Sequence, residues 1–180
     1  MQTYIAILRG INVNGKNIIK MDKLLLLFQN LGFEHVKTYI QSGNVVFQSK
    51  NIETSHLEKL IQDKILEDFD CKIPILVIEK SEWNLVANNN PFVNQRNEDT
   101  AKLHVTFLSE EPNEAFIEKI KQGNYDVDEF FVAGKAIYLF CPNGYGNTKL
   151  SNNFFENKLK ITATTRNWKT VNELKIIAEY

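Results

Sequence analysis

Val36-Lys37-Thr38-Tyr39-Ile40-Gln41 and Asn44-Val45-Val46-Phe47-Gln48 are two strand-like runs separated by Ser42-Gly43. Serine followed by glycine suits a tight hairpin turn, because glycine takes positive φ at no steric cost. Two strands joined this closely must be antiparallel. Upstream, Thr3 to Arg9 is a β-branched and apolar run stopped by Gly10, and Met21, Leu24, Leu25, Phe28 and Leu31 recur at the spacing of one helix face before Gly32. Downstream, Ser55-His56-Leu57-Glu58 matches a capping box and opens a helix with the stripe Leu57, Ile61, Ile65 and Phe69. Ile73 to Ile78 then reads as a strand with Pro74 near its start, most easily on a sheet edge. The order is β-α-β-β-α-β, the ferredoxin-like split βαβ arrangement, in which two crossovers interlock in one antiparallel sheet.

The rest of the chain repeats the pattern. Ser81 to Ala87 reads as a short helix, and Asn88 to Asp99 is polar and turn-rich. Within it, Asn90-Pro91-Phe92 reads as a helix stop with a buried phenylalanine. Leu103, Val105 and Phe107 alternate with polar residues as in a half-buried strand, and a helix with Pro112 in its first turn follows. Phe130 to Ala133 and Ala136 to Cys141 flank Gly134-Lys135, a helix opens near Ser151, and a last helix runs from about Asn167, where Thr170 to Glu173 is a second capping-box match. The expectation is an α+β protein of two ferredoxin-like halves, the second lacking its last strand and ending in an extra helix. The expected boundaries are a first subdomain over 1–80, a connector over 81–100 and a second subdomain over 101–180. The halves share no obvious sequence repeat.

At 180 residues a chain of this kind removes roughly 70% of its unfolded surface from water, so a core forms without metal or disulfide staples. Cys71 and Cys141 lie far apart, and the N-terminus lacks the basic start and long apolar stretch of a secretory signal, which points to reduced thiols and a cytoplasmic location. No apolar run approaches the ~20 residues that cross a bilayer, so no membrane partner is expected. His35, His56 and His104 lack ligand spacing, and neither a metal nor a cofactor is expected. The net charge of −1 is no footprint of a general nucleic-acid binder, yet it is unevenly spread. Residues 1–50 carry +4, residues 51–148 carry −8 and residues 149–180 carry +3.

Gly10-Ile11-Asn12-Val13-Asn14-Gly15-Lys16-Asn17 matches a phosphate-binding P-loop except at its last position, where Asn17 replaces the magnesium-binding Ser or Thr. A P-loop also needs a parallel sheet, which the hairpin argues against. Two readings stay open: a looser anion-binding loop using backbone amides, Lys16 and Arg9, and a plain turn with glycines at positive φ. Because the first two strands of a split βαβ unit run parallel with the third between them, Arg9 and Gln41 end at one sheet edge, about two strand spacings or ~10 Å apart. Thr164-Thr165-Arg166-Asn167-Trp168 is either an anion site at the start of the last helix or a cap with a buried tryptophan.

Tyr4 to Val13, Tyr39 to Phe47, Asn90-Pro91-Phe92 and Ala163 to Trp168 together resemble domain of unknown function (DUF) family 1697, and the resemblance runs end to end. It implies an α+β fold with ferredoxin-like character and carries no established activity.

The candidate ligand-binding residues are Arg9, Asn12, Lys16, Gln41, Ser42 and Asn44 along one rim, with Arg166 brought close to them by the fold. The leading function is binding of a small anionic ligand, a nucleotide or phosphorylated metabolite. The alternatives are an enzyme acting on such a ligand and a protein-interaction or regulatory module without a small-molecule site. No catalytic residue is assigned: neither Cys71 nor Ser42 has a base partner visible in the sequence. Nucleic acid is a lesser candidate partner, because Tyr4 to Leu8 is apolar on both faces and so belongs to a covered sheet rather than an open stacking platform.

Overall fold

The computed structural model describes residues 1–180 as two compact units, Met1–Leu85 with Glu173–Tyr180, and Val86–Asn172. The first unit contains β1 (Gln2–Leu8), α1 (Met21–Asn30), β2 (Glu34–Tyr39), β3 (Asn44–Ser49), α2 (Thr54–Phe69) and β4 (Ile75–Glu79). Its four strands form one antiparallel sheet in the order β2-β3-β1-β4. Successive side chains of a strand point to opposite faces, and here Tyr4, Ala6, Leu8, Val45 and Phe47 meet Leu24, Leu27 and Phe28 of α1 and Leu57, Ile61 and Ile65 of α2. Ile5 and Ile7 on the opposite face are also fully buried. The sheet is covered on both sides, as the unbroken apolar run of β1 requires, and the Tyr4 and Phe47 rings are closed to stacking on bases.

After α3 (Lys80–Asn88) and α4 (Pro91–Asn94), the second unit carries β5 (Leu103–Leu108), α5 (Glu114–Lys121), β6 (Glu129–Ala133), β7 (Ala136–Phe140), α6 (Asn152–Leu159) and β8 (Ala163–Asn167), and α7 (Trp168–Ile177) closes the chain. The strand order β6-β7-β5-β8 repeats that of the first sheet. The second half therefore does not lack its last strand. Ala163-Thr164-Thr165-Arg166-Asn167 escaped the pattern because it has no apolar alternation; it is an edge strand held by pairing with β5, with Val105 opposite Arg166.

The likeness of the two halves extends to single hydrogen bonds. Leu8 N donates to Gly43 O at 2.8 Å and Leu108 N to Lys135 O at 2.9 Å, while Arg9 N donates to Pro74 O and Ser109 N to Thr162 O, both at 3.0 Å. An exposed strand edge must be blocked or it invites pairing with another chain. In both units a glutamate of the second helix accepts from the edge strand: Glu58 Oε1 from Val77 N at 2.9 Å, and Glu156 Oε1 from Ala163 N at 3.0 Å.

This use of Glu58 corrects the capping-box reading of Ser55 to Glu58, since α2 begins at Thr54 and its glutamate reaches for β4 instead of its own first turn. Thr170 to Glu173 is likewise no capping box, because α7 is already under way at Trp168 and Thr170 N donates to Asn167 Oδ1 at 2.8 Å. Pro112 precedes the cap of α5, which is Asn113 accepting from Ala115 N. Asn90-Pro91-Phe92 starts a helix rather than stopping one: Asn90 caps α4 and Phe92 is buried against Phe140, with the Arg96 guanidinium over both rings.

In the second unit Tyr145 Oη and Thr106 Oγ1 lie 3.1 and 2.7 Å from Thr165 Oγ1, which donates to Asn152 Oδ1 at 2.6 Å. With its one proton given to Asn152, Thr165 accepts from the other two and its hydroxyl is saturated. His104 stacks on Tyr145 with centroids 4.8 Å apart, and its buried Nδ1 has no hydrogen-bond partner. Burial holds the His104 imidazole below its ordinary 6.5, against a smaller opposing pull from the Lys102 backbone. In the window between the depressed folded value and 6.5 the unfolded chain binds more protons, so stability falls as pH drops through it and levels below. His104→Gln is expected to flatten that acid-side loss in urea titrations across the window, and an unchanged pH slope would assign it to other groups.

Candidate functional site

Residues 9–20 connect β1 to α1, whereas residues 109–113 suffice at the same point of the second unit. A long ordered loop of this kind is where a duplicated scaffold carries function. Five of its residues sit at positive φ: Gly10 at 72°, Asn12 at 54°, Asn14 at 50°, Gly15 at 72° and Asn17 at 47°. Asparagine and glycine are the types that tolerate this region, which is why the stretch is built from them. Asn14 and Gly15 in succession have the signature of a type I′ turn, and Val13 and Lys16 bridge across it with Lys16 N donating to Val13 O at 3.0 Å. Asn12 N donates to Asn17 O at 3.1 Å. The loop is a small hairpin folded on its own carbonyls, and α1 starts only at Met21, so it is not the strand-loop-helix cradle of a P-loop.

Asn12 ties this loop to the second hairpin. Its Nδ2 donates to Ile19 O and to Gln41 O, both at 2.9 Å, and its Oδ1 accepts from Ile19 N at 2.9 Å. Asn17 Nδ2 adds a bond to Gly10 O at 2.9 Å. Within the hairpin of residues 40–43, the buried Asn44 donates through Nδ2 to Tyr39 O and to Ser42 Oγ, both at 3.0 Å. The loop and the hairpin thus converge as the strand directions require. Asn12, Asn44 and Ser42 spend side-chain bonds on this frame, while Lys16 and Gln41 are exposed and Arg9 is half-buried. Asn12→Ala removes three bonds and puts alanine at positive φ, and is expected to destabilise the first unit by about 1–3 kcal/mol. Faster amide exchange at Ile19, with β4 unaffected, would show that the loss begins in the loop.

Arg166 lies in the middle of β8 in the second unit, 9% exposed, with Nη1 donating to Thr165 O at 3.0 Å. Burial pushes its guanidinium down to about 10. It lies one residue before Asn167, which caps the last helix by accepting from Thr170 N, and Trp168 is buried, as the cap reading of Thr164 to Trp168 has it.

Sequence reasoning missed Ile40. This β-branched residue sits at φ 48° and is 47% exposed, and strained backbone of that kind gathers at functional sites. Val13 at 53% and Ile18 at 67% are exposed on the adjoining loop. Nothing in the residue types signals the strain at Ile40; only the exposed apolar positions follow from a loop built as a hairpin.

No group of three or more His, Cys, Asp or Glu could hold a metal ion, and no helix is long and apolar enough to cross a membrane. Cys71 and Cys141 are free thiols, and burial pushes the Cys141 thiol up to about 11.

The chain is similar in fold to a conserved bacterial protein of Streptococcus pneumoniae, with a TM-score of 0.77 at 24% identity, over 98% of each chain. No curated protein matches it. The family model described as "Protein of unknown function (DUF1697)" matches residues 1–138. The two duplicated sheets, the motifs that flank them and this match together place the chain in the DUF1697 family.

Proposed function

We propose that the first unit binds a small anionic ligand, a nucleotide or phosphorylated metabolite, where loop 9–20 meets hairpin 40–43. The observation that carries this reading is the Asn12 side chain, which fixes both segments at once; a frame ordered in advance reduces the entropy cost of binding. Arg9 and Lys16 supply positive charge within a segment of net +4, and Gln41 adds a neutral donor and acceptor. Asn12, Ser42 and Asn44 serve as the frame. Arg166 belongs to the other unit's sheet, and this reading does not use it. Each half is read as ferredoxin-like on its β-α-β-β-α-β order and antiparallel sheet. Two free cysteines fit a reducing, cytoplasmic setting.

A ligand bound only to the folded state raises its melting temperature. ADP and pyrophosphate are expected to give saturable increases that Arg9→Ala and Lys16→Ala each reduce and Lys135→Ala, at an exposed position of the second unit, leaves unchanged. Absence of any shift in the unmodified protein, or shifts undiminished in both variants, would sink the reading. The exposed Val13, Ile18 and Ile40 favour a second reading, a protein-interaction surface, which predicts instead that Ile18→Ser abolishes partner capture without altering anion-dependent melting.

A further inference from the structure

The second unit has a recess of about 280 Å³ between α5, the segment that follows it and α6. Its walls are aromatic. Tyr125 Oη donates to Ile120 O at 2.6 Å, which fixes the ring against the backbone of Gly123; a Cβ on Gly123 would overlap the phenol, so glycine is what lets the ring lie there. Phe154 meets Tyr125 edge-to-face, with centroids 5.6 Å apart and planes at 79°. Phe116 stands on the α5 side, and all three rings are only half-buried.

The rim is positive. Lys119 and Lys158 line the recess, and no carboxylate does. Neighbouring lysines are neutralised: Lys121 pairs with Glu118 at 2.7 Å and Lys149 with Asp126 at 3.0 Å. Lys119 instead lies 5.9 Å from the centroid of the Phe116 ring. Cations near helix C-termini offset the helix dipole, which accounts for two lysines at these positions. It does not account for three aromatic rings left half-exposed beside them.

We propose that this recess is a second binding site, for a small aromatic anion of one or two fused rings carrying a carboxylate or a phosphate monoester. The ring of such a ligand completes the edge-to-face cluster of Tyr125 and Phe154, and its anion is held by charge-assisted bonds from Lys119 and Lys158. The volume of about 280 Å³ falls just below the roughly 300–1,000 Å³ usual for ligand pockets, which admits a single ring system and not a dinucleotide. The site is independent of the loop and hairpin of the first unit.

The test is an amide NMR titration of the full chain with phenyl phosphate and with indole-3-acetate, using benzyl alcohol and inorganic phosphate as controls for ring and charge alone. Saturable shifts are expected at Phe116, Lys119, Gly123, Tyr125 and Phe154 with both aromatic anions, and at least about tenfold weaker binding of either control, the worth of one charge-assisted or stacking contact. Lys119→Gln and Lys158→Gln, both at exposed positions, should each weaken binding about tenfold with only the small loss of melting temperature that a helix-end charge accounts for, and Lys119→Arg should restore it. Absence of shifts at these residues, shifts confined to residues around Lys16, or affinities unchanged in both glutamine variants would overturn the proposal.

Discussion

Phe47→Ala is expected to destabilise the protein by about 3–5 kcal/mol, the range for removing a buried phenylalanine. Phe47 is fully buried in the middle strand pair of the first sheet. Its ring centroid lies 5.6 Å from Tyr4, 5.3 Å from Phe28 and 4.5 Å from Phe33, so one truncation opens a cavity touching β1, α1 and the entry to β2. Large rigid neighbours collapse poorly into such a space, which places the loss high in the range. Urea unfolding should show a lower midpoint with the slope preserved. A loss under about 1 kcal/mol would mean that this aromatic cluster is not what holds α1 on the sheet.

Gly43→Ala is expected to cost about 2–4 kcal/mol, combining left-handed strain with overpacking. Gly43 has φ 77°, and an added Cβ would stand 2.7 Å from Ile11 Cδ1 and 2.8 Å from Leu8 Cβ. The end of Ile11 could rotate away, but Leu8 Cβ is fixed by its strand, and Leu8 N also donates to Gly43 O. Relief requires the hairpin to lift from the end of β1, and Asn12 couples that movement to the loop. Gly10→Ala is the control: φ is 72° there but the Cβ would meet open space, so only backbone strain of about 1–2 kcal/mol is expected. Equal losses at Gly10 and Gly43 would deny the close approach of hairpin and strand.

Much of the fold was legible because alternation and three-four spacing are consequences of burial itself. β1, the α2 stripe and the edge position of the strand after Pro74 all follow from that pattern. Leu24 to Phe28 shows its limit, for a run with leucine at four successive positions fits more than one helix face; Leu27 is the core residue and Leu25 only half-buried. β8 shows another, since Thr164, Thr165 and Arg166 carry no apolar signal and become a strand only by pairing with β5. Glu58 satisfied a local motif on paper and a distant strand edge in fact.

At the candidate site, the convergence of loop and hairpin followed from strand directions alone. The residues' roles did not. Asn12 and Asn44 have the hydrogen-bonding groups of ligand-binding residues, but their amides brace carbonyls that the folded chain brings to them. Ile40 at positive φ is invisible to any reading by residue type.

The most direct test of the account is an amide map of pyrophosphate titrated into the labelled full chain. The account predicts saturable shifts concentrated in residues 9–18 and 40–44, lost in an Arg9→Ala, Lys16→Ala double variant that keeps the unmodified protein's strand signals. Shifts absent from both segments, or undiminished in that variant, would contradict it.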